Sequence, residues 1–254
     1  FYKAILVGHQ ICLFFFAPRF VYGFSSLIFA IIYLTVELIN LGFDRTCAQL
    51  SATYFDSKDH FRAYFIPQVI IQGAILATLF LLICFQYQFL NHRLLPESAF
   101  LTQKQWSLLG LIIVCESLRK TLRLFSQLLF LNKPAAILEA SLIIIYVFLF
   151  WIAIFMGCSI EISTIYVPLL IQSIIGIIIL FYFIVPKLKL ELQIKSANID
   201  SYNLLPQKYW PQIVSSRLQN YLYQLSEIFF SSNFLIYFLS SVTSLLTIGP
   251  IKLA

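Results

Sequence analysis

An all-α polytopic membrane protein is what this sequence predicts, and three observations carry the prediction. Of 254 residues, 60% are hydrophobic and only 11% are charged, against about 25% charged in a soluble domain. Apolar runs of about 20 residues, the length that crosses a bilayer as a helix, recur with polar connections between them. Basic residues gather in alternate connections, as the positive-inside rule requires. Mean hydropathy is +0.88.

Residues 4–16 (AILVGHQICLFFF) supply part of a first span, expected to be either truncated here or begun upstream of Phe1. Pro18 and Gly23 mark the turn after it. A second span covers 24–43, and the polar segment DRTCAQLSATYFDSKDHFR follows. A third covers 64–87, with Pro67 in its first turn, where a missing N–H does least harm. Residues 106–131 form a fourth. Asn132-Lys133-Pro134 reads as a tight turn into a fifth at 135–156, and 166–185 is the sixth. Residues 1–187 therefore read as a six-helix transmembrane lobe and 188–210 as a cytoplasmic linker. Residues 211–254 hold a seventh helix, 212–230, and the start of an eighth from 235, expected to continue past Ala254. With the N-terminus inside, the cytoplasmic connections carry Arg45, Lys58, Arg62, Lys133, Lys187, Lys189, Lys195 and Lys208. The external ones carry Arg19, Arg93 and Lys104, so the amino terminus is expected in the cytoplasm.

The fourth run, WSLLGLIIVCESLRKTLRLFSQLLFL, is the unusual one, because it carries Glu116, Arg119, Lys120 and Arg123. A charge at membrane depth costs about 2.5 kcal/mol or more, so it normally faces a protein interior or a water-filled cavity. Glu116, Arg119, Arg123 and Gln127 are spaced for one helical face. That stripe is a candidate wall of a polar passage; the competing reading is snorkelling to headgroups. Arg119 lies about 18 Å from the end of the run at 1.5 Å per residue, which favours the passage.

Glu37 lies inside the second span and Asp44 at its mouth, two turns apart on one face. Two readings stay open: a carboxylate that titrates and couples to a proton or a cation, or a neutral acid bonded to a neighbouring helix. His9 reads as a helix–helix hydrogen-bond partner rather than a proton relay. Glu139 reads as a salt-bridge partner of Lys133 or of the stripe. Gln68 and Gln72 form a small polar patch that could meet the stripe, whereas Arg217 and Glu227 lie about 80° apart on their helix and need not act together.

The excess of basic residues, 17 against 11, reads as topology and not as nucleic-acid binding. Five cysteines are scattered without CxxC or Cys/His spacing, so neither a metal site nor a disulfide framework is indicated. No Walker loop, H-E-x-x-H, G-x-S-x-G or acid pair at catalytic spacing is present. Neither an enzymatic activity nor a cofactor is expected.

The segment APRFVYGFSSLIFAIIYLTVELINLGFDRTCAQLSATYF then supplies a resemblance. Arg19, Gly23, Leu41-Gly42-Phe43, Ser51-Ala52 and Tyr54 stand where the polysaccharide-flippase (Wzx-like) branch of the multidrug/oligosaccharidyl-lipid/polysaccharide (MOP) exporter superfamily has its first-helix turn and following cytoplasmic motif. The later segment resembles the start of that family's second lobe through Asn220, Glu227 and IGPIKLA, although Pro250 departs from its pattern. The resemblance implies a MOP-like six-helix bundle followed by the first helices of a second bundle. It implies flipping of a polyprenyl-diphosphate-linked oligosaccharide across a bacterial inner membrane by alternating access. Arg119, Arg123, Arg45 and, from the facing lobe, Arg217 would then be cavity cations for the diphosphate, with Glu37, Glu116 and Asp44 in coupling or charge pairing. Partners would be membrane lipids and the lipid-linked glycan. The alternative is a non-transporting, flippase-like scaffold subunit held by other membrane subunits.

Overall fold

The apolar runs fold as helices close to where the sequence places them, and local chemistry sets their ends. In a computed structural model of the chain, residues 2–51, 66–95, 101–157, 162–196 and 210–242 are described. They form ten helices and, among the described residues, no strand. These are α1 (Tyr2–Phe16), α2 (Arg19–Asn40), α3 (Phe43–Gln49), α4 (Ile66–Phe85) and α5 (Tyr87–Leu94). They continue with α6 (Gln103–Leu128), α7 (Asn132–Phe155), α8 (Ile162–Ser196), α9 (Trp210–Phe229) and α10 (Ser232–Val242). The segment 52–65, most of the expected linker and the IGPIKLA tail lie outside the described residues.

Several boundaries differ from the sequence expectation. The turn before α2 is at Ala17-Pro18, and Gly23 lies inside the helix. α2 stops at Asn40, not 43, because Leu41 and Gly42 both adopt left-handed backbone angles (φ 47° and 71°). α6 begins three residues early, since Thr102 and Gln105 form a reciprocal capping box. Asn132, Lys133 and Pro134 are the first turn of α7, not a turn before it; Pro134 falls where backbone N–H groups have no intrahelical partner anyway. α8 runs on through Pro186 to Ser196, so residues 188–196 of the expected linker are helical. A proline removes one N–H, and the residues after it (KLKLELQIKS) are mostly good helix formers. α5 was not expected. Asn91 pins it to the start of α6, donating to the Leu101 carbonyl and accepting from the Leu101 N–H and Trp106 Nε1.

Four helical segments are long and apolar enough to cross a membrane: Val21–Asn40, Gln68–Phe85, Asn132–Phe155 and Thr164–Leu190. Gln68–Phe85 and Asn132–Phe155 are each only 22% buried within the protein. Their outward faces carry Ile70, Leu81, Phe85, Ile137, Phe148 and Phe155. Apolar surface on that scale is untenable in water, and hydrocarbon covers it: this is an α-helical membrane protein. α6 is not among the four, because its charges exclude it on composition. Val21–Asn40, by contrast, is 72% buried and is the central helix.

α7 runs antiparallel to α2 and α8. One cluster joins Phe43, Phe125, Leu138, Leu142 and Ile184; another joins Leu13, Tyr22, Phe150 and Ile165. Between them the main core packs α2 (Leu27, Ile28, Ile31) against α4 (Leu76, Ile83), α6 (Leu109, Ile112, Ile113) and α8 (Tyr166). α6 also packs closely on α8, where glycine permits it. A Cβ at Gly176 would come within 2.8 Å of Arg119 Cδ.

Candidate functional site

Three polar features are built on this frame, and the first is a charged cleft. That cleft, about 340 Å3, lies between α2, α6 and α8. Its apolar wall is Phe29, Ile32, Tyr33, Val36 and Leu169; its polar wall is Glu37, Glu116, Arg119, Lys120, Arg123 and Gln172. Glu116, Arg119 and Arg123 of the helical stripe thus line a cavity and face the carboxylate of the central helix, while Gln127 lies outside its walls.

Within the cleft the charges are paired. Arg119 reaches Glu116 Oε2 at 2.6 Å and, across to α7, Glu139 Oε1 at 2.6 Å. Ser173 of α8 donates to Glu116 as well. Glu139 therefore belongs to the stripe and not to Lys133. Lys120 reaches Glu37 at 2.7 Å and Asp44 at 3.4 Å, so the two acids spaced for one face do share a cation. Asp44 sits in α3 beyond the span; burial pushes its carboxyl above the usual range, with Lys120 and Asn40 opposing the shift. Arg123 is held least: its side chain is 52% exposed and stands 3.9 Å from Glu139 Oε2. Around Arg119, Lys120 and Arg123 stand Glu37, Asp44, Glu116 and Glu139. On their own helix Arg119, Lys120 and Arg123 outnumber Glu116, but tertiary packing supplies three more carboxylates.

Arg45 and Arg217 are not in the cleft walls. Arg45 pairs with Glu227 and lies 4.2 Å over the Tyr223 ring. Arg217 donates to the Leu41 carbonyl and to Gln72 Oε1 and lines a separate groove with Gln68, Ile71 and Tyr221. Gln72 also donates to the Ile39 carbonyl; its described bonds go to α2 and α9 and none to the stripe. His9 is buried edge-on against Tyr146, Phe150 and Trp151. Neither of its nitrogens has a hydrogen-bond partner, so the helix–helix bond expected of it is absent among the described residues.

The third feature is a stripe on α9 that sequence reading missed. Arg217, Asn220, Gln224 and Glu227 recur at intervals of 3, 4 and 3, a heptad-like face. All four dock at the break between α2 and α3. Gln224 accepts from the Gly42 N–H and donates to the Glu37 carboxylate at 2.6 Å; Asn220 donates to Thr46 Oγ1 and Gln49 Oε1. The spacing was available in the sequence, but amides carry no charge to draw notice. Glu37 is consequently shared by Lys120 on the cleft side and Gln224 on the α9 side. Among the described residues no group of His, Cys, Asp and Glu is placed to hold a metal ion. Comparison with known proteins leaves the site to its own geometry: no family model, no curated protein and no solved structure matches the chain.

Proposed function

We propose that the chain handles the headgroup of an anionic, lipid-linked oligosaccharide and moves it across a bacterial inner membrane by alternating access. The observation that carries this reading is the charged cleft among apolar helices, with Arg123 loosely held at its wall. A diphosphate needs charge-assisted donors, and Arg123 is the guanidinium with the least to give up. Lys120 joins it by exchanging carboxylate for phosphate. Arg119, fixed between Glu116 and Glu139, is a positioning residue that keeps those acids away from the ligand. α1, α2, α4, α6, α7 and α8 form the first lobe; α9 and α10 begin the second, with the amino terminus cytoplasmic. Glu37, shared between the cleft and α9, carries the coupling between substrate and lobe movement. No bond is made or broken.

The test uses the native full-length protein in proteoliposomes with a fluorescent polyprenyl-diphosphate oligosaccharide and a membrane-impermeant quencher. Losing a charge-assisted bond of about 1.5–3 kcal/mol lowers the translocation rate of Arg123→Ala about tenfold or more. Unchanged rates in Arg123→Ala and Lys120→Ala overturn the reading. The internal pairing of the cleft cations favours a second reading, a flippase-like scaffold subunit that transports nothing. It predicts no translocation by the wild type and co-purification with fixed membrane partners.

A further inference from the structure

Beside the charged cleft lies a second compartment of about 310 Å3, and the two share Phe29, Tyr33, Leu169 and Gln172 in their walls. The rest of its wall is Gln10 from α1, Ile143 and Tyr146 from α7, and Asn233 from α10. No charged residue lines it. Three amides, Gln10, Gln172 and Asn233, converge there from three different helices. None of them makes a side-chain hydrogen bond to a described residue. Elsewhere in the same bundle, the amides of Gln72, Asn220 and Gln224 are all bonded to protein. Gln172 is buried, and Gln10 and Asn233 are half-buried; polar groups withdrawn from water are normally satisfied, and low dielectric raises the cost of leaving them bare. Three unmet amides in one compartment therefore point to a hydrogen-bonding occupant.

We propose that this compartment is a subsite for an uncharged, hydroxyl-rich group: a sugar residue carried by the ligand whose phosphate faces Arg123. The inference rests on the proposed function and specifies its substrate. An amide offers two N–H donors and a carbonyl acceptor, which matches hydroxyl groups that both give and take hydrogen bonds. The aromatic faces of Phe29 and Tyr33, shared with the charged cleft, suit the apolar faces of a sugar ring. A second phosphate is disfavoured, because no cation lines the wall. A purely apolar occupant would leave the amides unmet.

Binding to the full-length protein in lipid nanodiscs tests this with two probes: farnesyl diphosphate, and the same lipid bearing one N-acetylglucosamine. The sugar-bearing probe is expected to bind about tenfold tighter, the gain of one or two added hydrogen bonds. Gln10→Leu and Asn233→Leu each remove most of that advantage and leave farnesyl diphosphate binding unchanged, which also reports that both variants are folded. Equal binding of the two probes to the wild type means the compartment holds water only, and overturns the inference alone. An advantage that survives in both leucine variants overturns it too. Binding of only the sugar-bearing probe supports this subsite and overturns the diphosphate reading; binding of neither overturns both.

Discussion

Arg119 bridges two carboxylates from different helices, and its side chain is only 17% exposed. Removing it leaves Glu116 with no cation and Glu139 with only the long contact to Arg123. Breaking such a partly buried ion pair costs about 3–5 kcal/mol. Arg119→Ala is therefore expected to melt far below the wild type in detergent. Arg45, whose pair with Glu227 has side chains 37% and 53% exposed, is worth about 1 kcal/mol or less. Arg45→Ala should melt within a few degrees of the wild type. Equal melting of the two variants would show that the triad does not hold α6 to α7. This contrast also separates roles: loss of transport in Arg119→Ala with loss of fold marks a positioning residue, while Arg123→Ala should lose transport and keep its melting temperature.

The break between α2 and α3 makes its prediction at the scale of the element. Gly42 has φ 71°, and a Cβ there would come within 2.6 Å of the Arg217 carbonyl oxygen and 2.7 Å of the Tyr221 nitrogen. Both are backbone atoms, which do not step aside as a side chain does. An L-residue in the left-handed region adds about 1–2 kcal/mol of its own. Gly42→Ala is expected to destabilise the protein by about 2 kcal/mol or more and to loosen α9 from the break. Gly73, in α4 with nothing within 4 Å of its Cβ position, is the control. Gly73→Ala should be neutral or slightly stabilising, since alanine is the better helix former by about 1 kcal/mol. Thermal unfolding of the two variants, with limited proteolysis around α9, checks both. A wild-type melt for Gly42→Ala would mean that α9 does not pack against this break.

Across the whole molecule, the directions of α2, α6, α7 and α8 put Arg45, Lys133 and Lys187 at one end and Arg19, Arg93 and Lys104 at the other. These six lie in the end turns of spans or long helices, or in the short helices beside them, where the positive-inside rule counts charge. In a variant with its native cysteines replaced, Lys187→Cys should react with a membrane-impermeant maleimide only after permeabilisation. Arg93→Cys should react in intact cells. Labelling of both from one side would refute the antiparallel order.

Four of the expected spans, at 21–40, 68–85, 132–155 and 164–190, were legible because hydrocarbon imposes one demand on every helix that crosses it, a long apolar run, and that demand is written locally. The stripe on α6 was legible for the same reason, as 3.6-residue periodicity places Glu116, Arg119 and Arg123 on one face without knowledge of a neighbour. What faces that stripe was not. Glu139 and Lys120–Glu37–Asp44 complete the cleft through packing of α6 against α7, α2 and α3, and no spacing within a helix encodes which helix lies beside it. The same holds for the ends of α2 and α8, where a left-handed pair stops one helix early and good helix formers carry the other past a proline. The sequence by itself determined an α-helical membrane protein with charge at depth. Only tertiary structure decided that these charges neutralise one another, because Coulomb energy depends on distances between helices that the chain order leaves open.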